Sequence, residues 1–419
     1  MEVTRTPPEM GRREGHTPTL FAAFLHFDVS FMLWVLMGAL GVYIAEALSL
    51  SPAERGLAVS LPVLSGSLLR IPVGVFSDRF GAKRTGSGLL LFLFVPLSLA
   101  WLLGESLPVL LFAGLLLGAA GASFAVALPL ASRWYPAQRQ GMVMGIAAAG
   151  NSGTVIANLT APRLADRIGW QDVFGVAMLP LGLTLAAFAL LAREAPRELA
   201  GGRVRSGVLR QADLWWFCLF YSITFGGYVG LTSFFPLFLR AEYGLTPGTA
   251  GLLTAAVAVV GSSCRPLGGH IADRFGGVRV LTLVLLAIAG LYFGFAALPP
   301  VAIMTALAGC AFACLGLGNG AVFQLVPRRF PAEVGLATGV VGALGGVGGF
   351  LLPNLLSNAE GATGSTASGF VVLAVAAALA LAALRALAAN RAGWTDSWRS
   401  GRTGQVSPPR RVQMAPNWA

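Results

Sequence analysis

Two arginines, Arg70 and Arg265, each fall inside a long apolar run, and each opens the same fifteen-residue pattern. The first reads Arg70-Ile-Pro-Val-Gly74-Val-Phe-Ser-Asp78-Arg79-Phe80-Gly81-Ala-Lys83-Arg84, the second Arg265-Pro-Leu-Gly-Gly269-His270-Ile-Ala-Asp273-Arg274-Phe275-Gly276-Gly-Val-Arg279. The offset is 195 throughout and seven positions are identical. An arginine in hydrocarbon costs about 2.5–3.5 kcal/mol on insertion scales, so two at matching positions point to a site for an anion. A guanidinium presents paired N–H donors in one plane, which suits two oxygens of a small planar ion. Two such cations in a low-dielectric cavity repel one another, and an anion between them relieves the repulsion. The plainer alternative is structural, with each arginine bonding carbonyls of neighbouring helices.

The elements that hold these arginines follow from composition. The chain has 419 residues, 56% hydrophobic and only 11% charged, with a mean hydropathy of +0.74. That profile belongs to a polytopic helical membrane protein. Apolar runs of about 20 residues, broken by turn and charge clusters, predict twelve spans: 21–47, 54–77, 85–103, 107–132, 140–162, 171–192, 213–239, 247–272, 279–297, 300–326, 333–357 and 367–389. The first is too long for a signal segment and is read as retained. A repeat at nearly half the chain length divides the spans six and six. The expected organisation is a leader over 1–20, one six-helix bundle over 21–192, a polar linker over 193–212, a second bundle over 213–392, and a disordered tail over 393–419.

The net charge of +11 does not signal nucleic acid. With both termini inside, 23 Lys and Arg fall on the inner side and four, Arg55, Arg163, Arg167 and Arg240, on the outer. That bias places the termini in the cytoplasm. Cys218, Cys264, Cys310 and Cys314 all lie within spans; packing is the reading for the i, i+4 pair Cys310 and Cys314, rather than a metal site. His26 and His270 sit near inner span ends without an obvious partner. No nucleophile–base pair or metal cluster stands out, so neither an enzyme nor a metal or other cofactor is expected.

Glycine and asparagine mark three further spans. The fifth reads Gly141-Met-Val-Met-Gly145-Ile-Ala-Ala-Ala-Gly150-Asn151-Ser-Gly153. The tenth carries Gly316-Leu-Gly318-Asn319-Gly320-Ala-Val-Phe323-Gln324, and the eleventh has Gly335, Gly339, Gly342, Gly345, Gly346, Gly348 and Gly349. Small residues at i, i+4 spacing let helix backbones touch and slide. Asn151 and Asn319 add neutral donors for an anion; tight packing alone remains the alternative for each.

The repeated inner-loop pattern resembles that of the major facilitator superfamily, in which two six-helix bundles enclose a central cavity. The resemblance implies that Gly74, Asp78, Gly81 and Arg84, with Gly269, Asp273, Gly276 and Arg279, form gating turns, the aspartates latching the inner gate when the cavity faces out. Over nearly the whole chain, the arginines of spans two and eight, the Gly/Asn-rich stretches, Phe27-Asp28-Val-Ser-Phe31-Met32-x-Trp34, Ile44-Ala-Glu46 and Leu50-Ser-Pro together resemble the nitrate/nitrite porters of that superfamily. By that resemblance Arg70 and Arg265 bind the anion from opposite sides. Phe124 in Gly121-Ala-Ser-Phe124, and Tyr221 and Phe225 in Phe220-Tyr-Ser-Ile-Thr-Phe225, flank it, and Asn151 matches the asparagine of span five.

The expectation is therefore an all-α integral membrane protein: twelve transmembrane helices in two pseudo-symmetric six-helix bundles, monomeric in the cytoplasmic membrane, moving nitrate and nitrite by alternating access. Only Asp28 and Glu46 among the acidic residues approach the hydrocarbon, and neither is placed beside an arginine of the pair, which favours nitrate/nitrite exchange. The alternatives are a proton-coupled symporter, a porter of another small monovalent anion, and a non-transporting sensor or scaffold.

Overall fold

The computed structural model of the protein describes residues 15–135, 143, 147, 149–194, 206–331 and 333–398. Among them the secondary structure is helical, with no strand. α1 (17–47) is interrupted at Val35 and Leu40 into Thr17–Trp34, Leu36–Ala39 and Gly41–Ala47. α2 (Pro52–Phe80), α3 (Ala82–Leu103), α4 (Leu107–Ser132), α5 (Gly153–Ile168) and α6 (Trp170–Leu191) complete the first half. α7 (Ala212–Tyr243), α8 (Pro247–Phe275), α9 (Gly277–Ala296), α10 (Val301–Arg329), α11 (Val334–Thr363) and α12 (Ala367–Asn390) form the second, and a short α13 (Ala392–Asp396) follows. Each expected span has a helix over at least part of its length; in the fifth, expected over 140–162, residues 140–142, 144–146 and 148 lie outside the described residues and the helix is described from Gly153. Ten are long and apolar enough to cross a membrane; the other two are the interrupted α1 and α5, which is preceded by a 3-10 turn at Ala149–Ser152.

Local sequence sets the helix ends. Ser51 caps α2 through a capping box: its hydroxyl accepts from the Glu54 N–H, and the Glu54 carboxylate accepts from the Ser51 N–H at 2.8 Å. Gly81 and Gly276 close α2 and α8 at φ +99° and +97°. These angles favour glycine, so both copies of the pattern make the same abrupt turn into the next helix.

The two halves meet where glycine permits. A Cβ on Gly346 (α11) would overlap the Ser67 hydroxyl of α2, and one on Gly251 (α8) would sit 2.5 Å from the Asn158 carbonyl of α5. A Cβ on Gly38 (α1) would sit 2.7 Å from Ser233 of α7. Gly345 and Gly349 are equally confined, against Tyr221 and Val63. Gly335 and Gly339 are not: a Cβ on either meets nothing within 4 Å. The close approach expected of these two is absent in this conformation, because they lie on an open face of α11, while Ala337 and Val341 on other faces of the same turns are buried. Gly141 and Gly145 lie outside the described residues, and Gly150 is described only as part of the 3-10 turn. Gly153 abuts the Asp28 carbonyl of α1.

The stretch expected to begin a disordered tail is partly ordered. Trp394 of α13 is buried, stacks on Phe217 with centroids 4.9 Å apart and donates to Asp213 at 3.0 Å. Aromatic burial and a buried carboxylate outweigh the polar, Arg-rich composition there. Residues 399–419 lie outside the described residues.

Candidate functional site

Arg70 lies in the middle of α2 and is buried. Its Nε donates to the Gly121 carbonyl at 3.0 Å and its Nη1 to the Gly342 carbonyl at 2.6 Å. α4 thus holds one side of the guanidinium and α11, from the opposite half, the other. Its Nη2 is buried without a protein partner. Arg265, in α8, is half-buried; its Nη2 donates to the Tyr221 hydroxyl at 3.3 Å, and its Nη1 is likewise buried without a partner. Carbonyls thus fix part of the Arg70 fork and the Tyr221 hydroxyl part of the Arg265 fork, and one N–H edge of each has no protein partner.

Aromatic rings enclose both cations. Arg70 lies 5.2 Å from the Trp34 ring, 5.6 Å from Phe124 and 5.0 Å from Phe225. Arg265 lies 5.9 Å from Phe225 and 5.8 Å from Phe323. Phe225 is common to both, so the two guanidiniums lie against a single ring. Tyr221 stacks parallel to Phe225 at 4.9 Å, which the i, i+4 spacing on α7 makes possible, and meets Phe323 edge-on at 4.8 Å. Such faces screen the cations from water and attract them through the ring quadrupole. No ion pair among the described residues involves Arg70 or Arg265. Two neighbouring cations, one buried and one half-buried, without a carboxylate are electrostatically unfavourable, and a small anion at their unpartnered N–H edges would satisfy them.

Asn151 and Asn319 are buried, and the Oδ1 of each lacks a partner. Asn151 closes the 3-10 turn before α5, and Asn319 shares a face of α10 with Phe323 at i, i+4. Two residues escaped assignment from sequence. Trp34 is fixed by its Nε1 donating to the Pro62 carbonyl at 2.7 Å; Phe323 was readable from its spacing to Asn319. Gly121 and Gly342 serve through carbonyls, which no sequence pattern reports. A Cβ on Gly121 would strike the Trp34 ring at 2.4 Å.

The two turns expected to gate lie at one end of the bundle, called here the basic end. Asp78 accepts from Arg133 Nη2 and Asp273 from Arg328 Nη2, both at 2.8 Å, and Gln324 Nε2 adds a bond to Asp273 at 3.0 Å. Each pair stays within its own half. Gly74 and Gly269 have a little clearance, 3.8 Å from Ala125 and from the Gly320 carbonyl for an added Cβ. Arg84 and Arg279 are exposed at the starts of α3 and α9. The partners are the arginines at the ends of α4 and α10, which the 195-residue offset from Arg133 to Arg328 would have revealed.

The opposite end is closed by bonds between halves: Arg240 to Glu46 at 2.9 Å, Arg55 to Glu360 at 3.6 Å, and Asn354 to Ser60 at 2.7 Å. Phe124, Phe323 and Arg265 are half-buried, whereas Trp34, Thr154 and Tyr228 on the far side are sealed. The site is reached from the basic end.

The chain matches the Major Facilitator Superfamily over residues 22–353. It is 36% identical to the nitrite extrusion protein of Bacillus subtilis, covering 83% of this chain and 89% of that protein. It is 34% identical to the probable nitrate/nitrite transporter NarK2 of Mycobacterium tuberculosis, with 78% and 84% covered. In fold it is similar to a bacterial homologue of the human lysosomal transporter Spinster, solved inward-facing and occupied (TM-score 0.69, 20% identity, 87% and 94% covered). A D-xylose–proton symporter is similar to the same degree (TM-score 0.70, 17% identity, 87% and 95% covered). Fold, repeated motif and relatives agree, and the chain belongs to the major facilitator superfamily, among its nitrate/nitrite porters.

Proposed function

We propose that this protein carries nitrate and nitrite across the cytoplasmic membrane by alternating access, as an exchanger. The observation that carries the reading is the pair of guanidiniums 5.0 and 5.9 Å from the Phe225 ring, each with an unpartnered N–H edge and neither with a carboxylate among the described residues. A small planar monovalent anion fits that donor set, and the names of the relatives supply the same anions. Arg70 and Arg265 grip it from α2 and α8, Phe124, Tyr221 and Phe225 wall it, and Asn151 and Asn319 offer neutral contacts. The Lys/Arg bias puts the basic end and both termini in the cytoplasm, so this conformation faces inward.

Exchange follows from charge. Emptied of anion, the cavity holds two cations with no counter-charge, and reorienting across hydrocarbon in that state is disfavoured. An anion must therefore ride each way. A proton symporter is the second reading, favoured by Asp28, a buried carboxylate of α1 that accepts from Ser152 at 2.6 Å. Nitrate uptake into proteoliposomes separates the two. Exchange requires stimulation by internal nitrite and indifference to a proton gradient; strong gradient-driven uptake into empty vesicles overturns it. Binding of nitrate to the purified protein, competed by nitrite and not by formate or acetate, tests the anion class.

A further inference from the structure

One helical turn beyond the site, away from the basic end, three hydroxyls meet. Thr154 is three residues after Asn151 on α5, Tyr228 three after Phe225 on α7, and Ser262 three before Arg265 on α8. Thr154 belongs to the first half and the other two to the second. The Tyr228 hydroxyl lies 3.2 Å from Thr154 Oγ1, 2.7 Å from Ser262 Oγ and 3.3 Å from the Ala258 carbonyl. Thr154 and Tyr228 are buried. Gly261 makes room for the ring, since a Cβ there would lie 2.7 Å from Tyr228 Cε2, and Phe312 packs edge-on against it at 5.5 Å.

Proton accounting orders the chain. Thr154 donates its only proton to the Asn151 carbonyl at 2.8 Å, so toward Tyr228 it accepts. The single Tyr228 proton then faces two acceptors, Thr154 Oγ1 at 3.2 Å across the halves and the Ala258 carbonyl at 3.3 Å, and Ser262 donates to Tyr228 at 2.7 Å. The polypeptide turn that presents Asn151 is thus tied, through two hydroxyls, to the helix that presents Arg265.

We infer that Tyr228 is a positioning residue: its hydroxyl, bonded to Thr154, is the latch that closes the outer side of the site directly above the anion. The inference rests on the transport reading for which end is outer. The geometry favours this bond over the ion pairs nearer the surface. Glu46–Arg240 is partly exposed and screened, and such pairs contribute little; a buried hydrogen bond contributes a net of about 1 kcal/mol. Opening outward must separate α5 from α7 and α8, and the bond cannot survive that separation.

The test reads the outer gate without relying on nitrate. Ser233 of α7, buried against Gly38 of α1, is replaced by cysteine in full-length protein whose four native cysteines are alanine. A membrane-impermeant maleimide is added outside. Tyr228→Phe should raise the labelling rate about fivefold, the population shift that a bond of about 1 kcal/mol gives. Thr154→Val should do the same, and the double variant should not exceed either single one. Thr254→Val, which loses a hydroxyl that bonds only its own helix at Ala250, should leave labelling at the parent rate. An unchanged rate in folded Tyr228→Phe, or a double variant whose effects multiply, overturns the latch. If Tyr228→Phe opens the gate while the parent exchanges no nitrate, the latch stands and the substrate reading falls.

Discussion

Arg133 donates Nη2 to Asp78 at 2.8 Å, and the same bond recurs, with the same 55-residue separation, between Arg328 and Asp273. The repeat thus extends beyond the fifteen-residue pattern to its partner on the fourth helix of each half. Each pair ties the second helix of its half to the fourth at the basic end. Exposed pairs add little to stability, so a part in gating is what their removal tests. Arg133→Gln and Arg328→Gln should each leave the unfolding temperature close to that of the parent and lower nitrate/nitrite exchange several-fold. The swap Asp78→Arg with Arg133→Asp should recover at least half of the parent rate; a swap no better than either single change would deny the pair its role.

Lysine at either central position keeps the charge and loses the planar fork. Arg70→Lys and Arg265→Lys should each reduce exchange by at least about 100-fold, since a bidentate charged contact contributes on the order of 3 kcal/mol. The gel-filtration profile should stay that of the parent. Near-parental transport by either variant would rule out a two-arginine site.

The glycines of α11 divide by what surrounds them. A Cβ on Gly345 would lie 2.1 Å from Tyr221 Cδ1, and Tyr221 is held by Phe225 and Phe323. Gly345→Ala should therefore weaken nitrate binding to purified protein by tenfold or more. Gly339 faces open space, and alanine there should be tolerated for binding, with a gain in helix propensity of about 0.8–1 kcal/mol. If both alanines behave alike, the confinement of Gly345 is not what matters.

Asp213 accepts from Arg329 at 2.6 Å, Arg391 at 2.8 Å and Trp394 at 3.0 Å. It joins the ends of α10, α12 and α13 to the start of α7. Asp213→Asn should lower the apparent unfolding temperature by several degrees, because two charged donors lose their counter-charge. Removal of residues 392–419 should cause a smaller loss, since Arg329 and Arg391 keep the carboxylate. The reverse order, read by differential scanning fluorimetry, would make Trp394 rather than the charge the anchor.

Much of the fold was legible because lipid restricts the choices: an apolar run long enough to span must be a helix, and a 195-residue repeat fixes the pairing of the halves. The arginines were legible for the same reason, since only a ligand or a network of carbonyls repays their place in hydrocarbon. Tyr221, Phe225 and Asn151 came by resemblance; Tyr221 and Phe225 lie against the arginines, and Asn151 is buried with its Oδ1 unpartnered. What misled was composition at the end of the chain, where Trp394 packs in spite of its polar neighbours, and the glycine spacing at Gly335 and Gly339, which meets no partner.

The sequence by itself determined the helices, the two halves and the two cations, because each is a local consequence of hydropathy, turn residues or repetition. The tertiary structure alone decided that Gly121 and Gly342 hold Arg70 by their carbonyls, that Phe225 lies against both guanidiniums, and that Tyr228 meets Thr154 across the halves. These depend on how helices distant in the chain lie against one another. Spacing along a helix records which face a residue occupies, and carries nothing about which helix will face it.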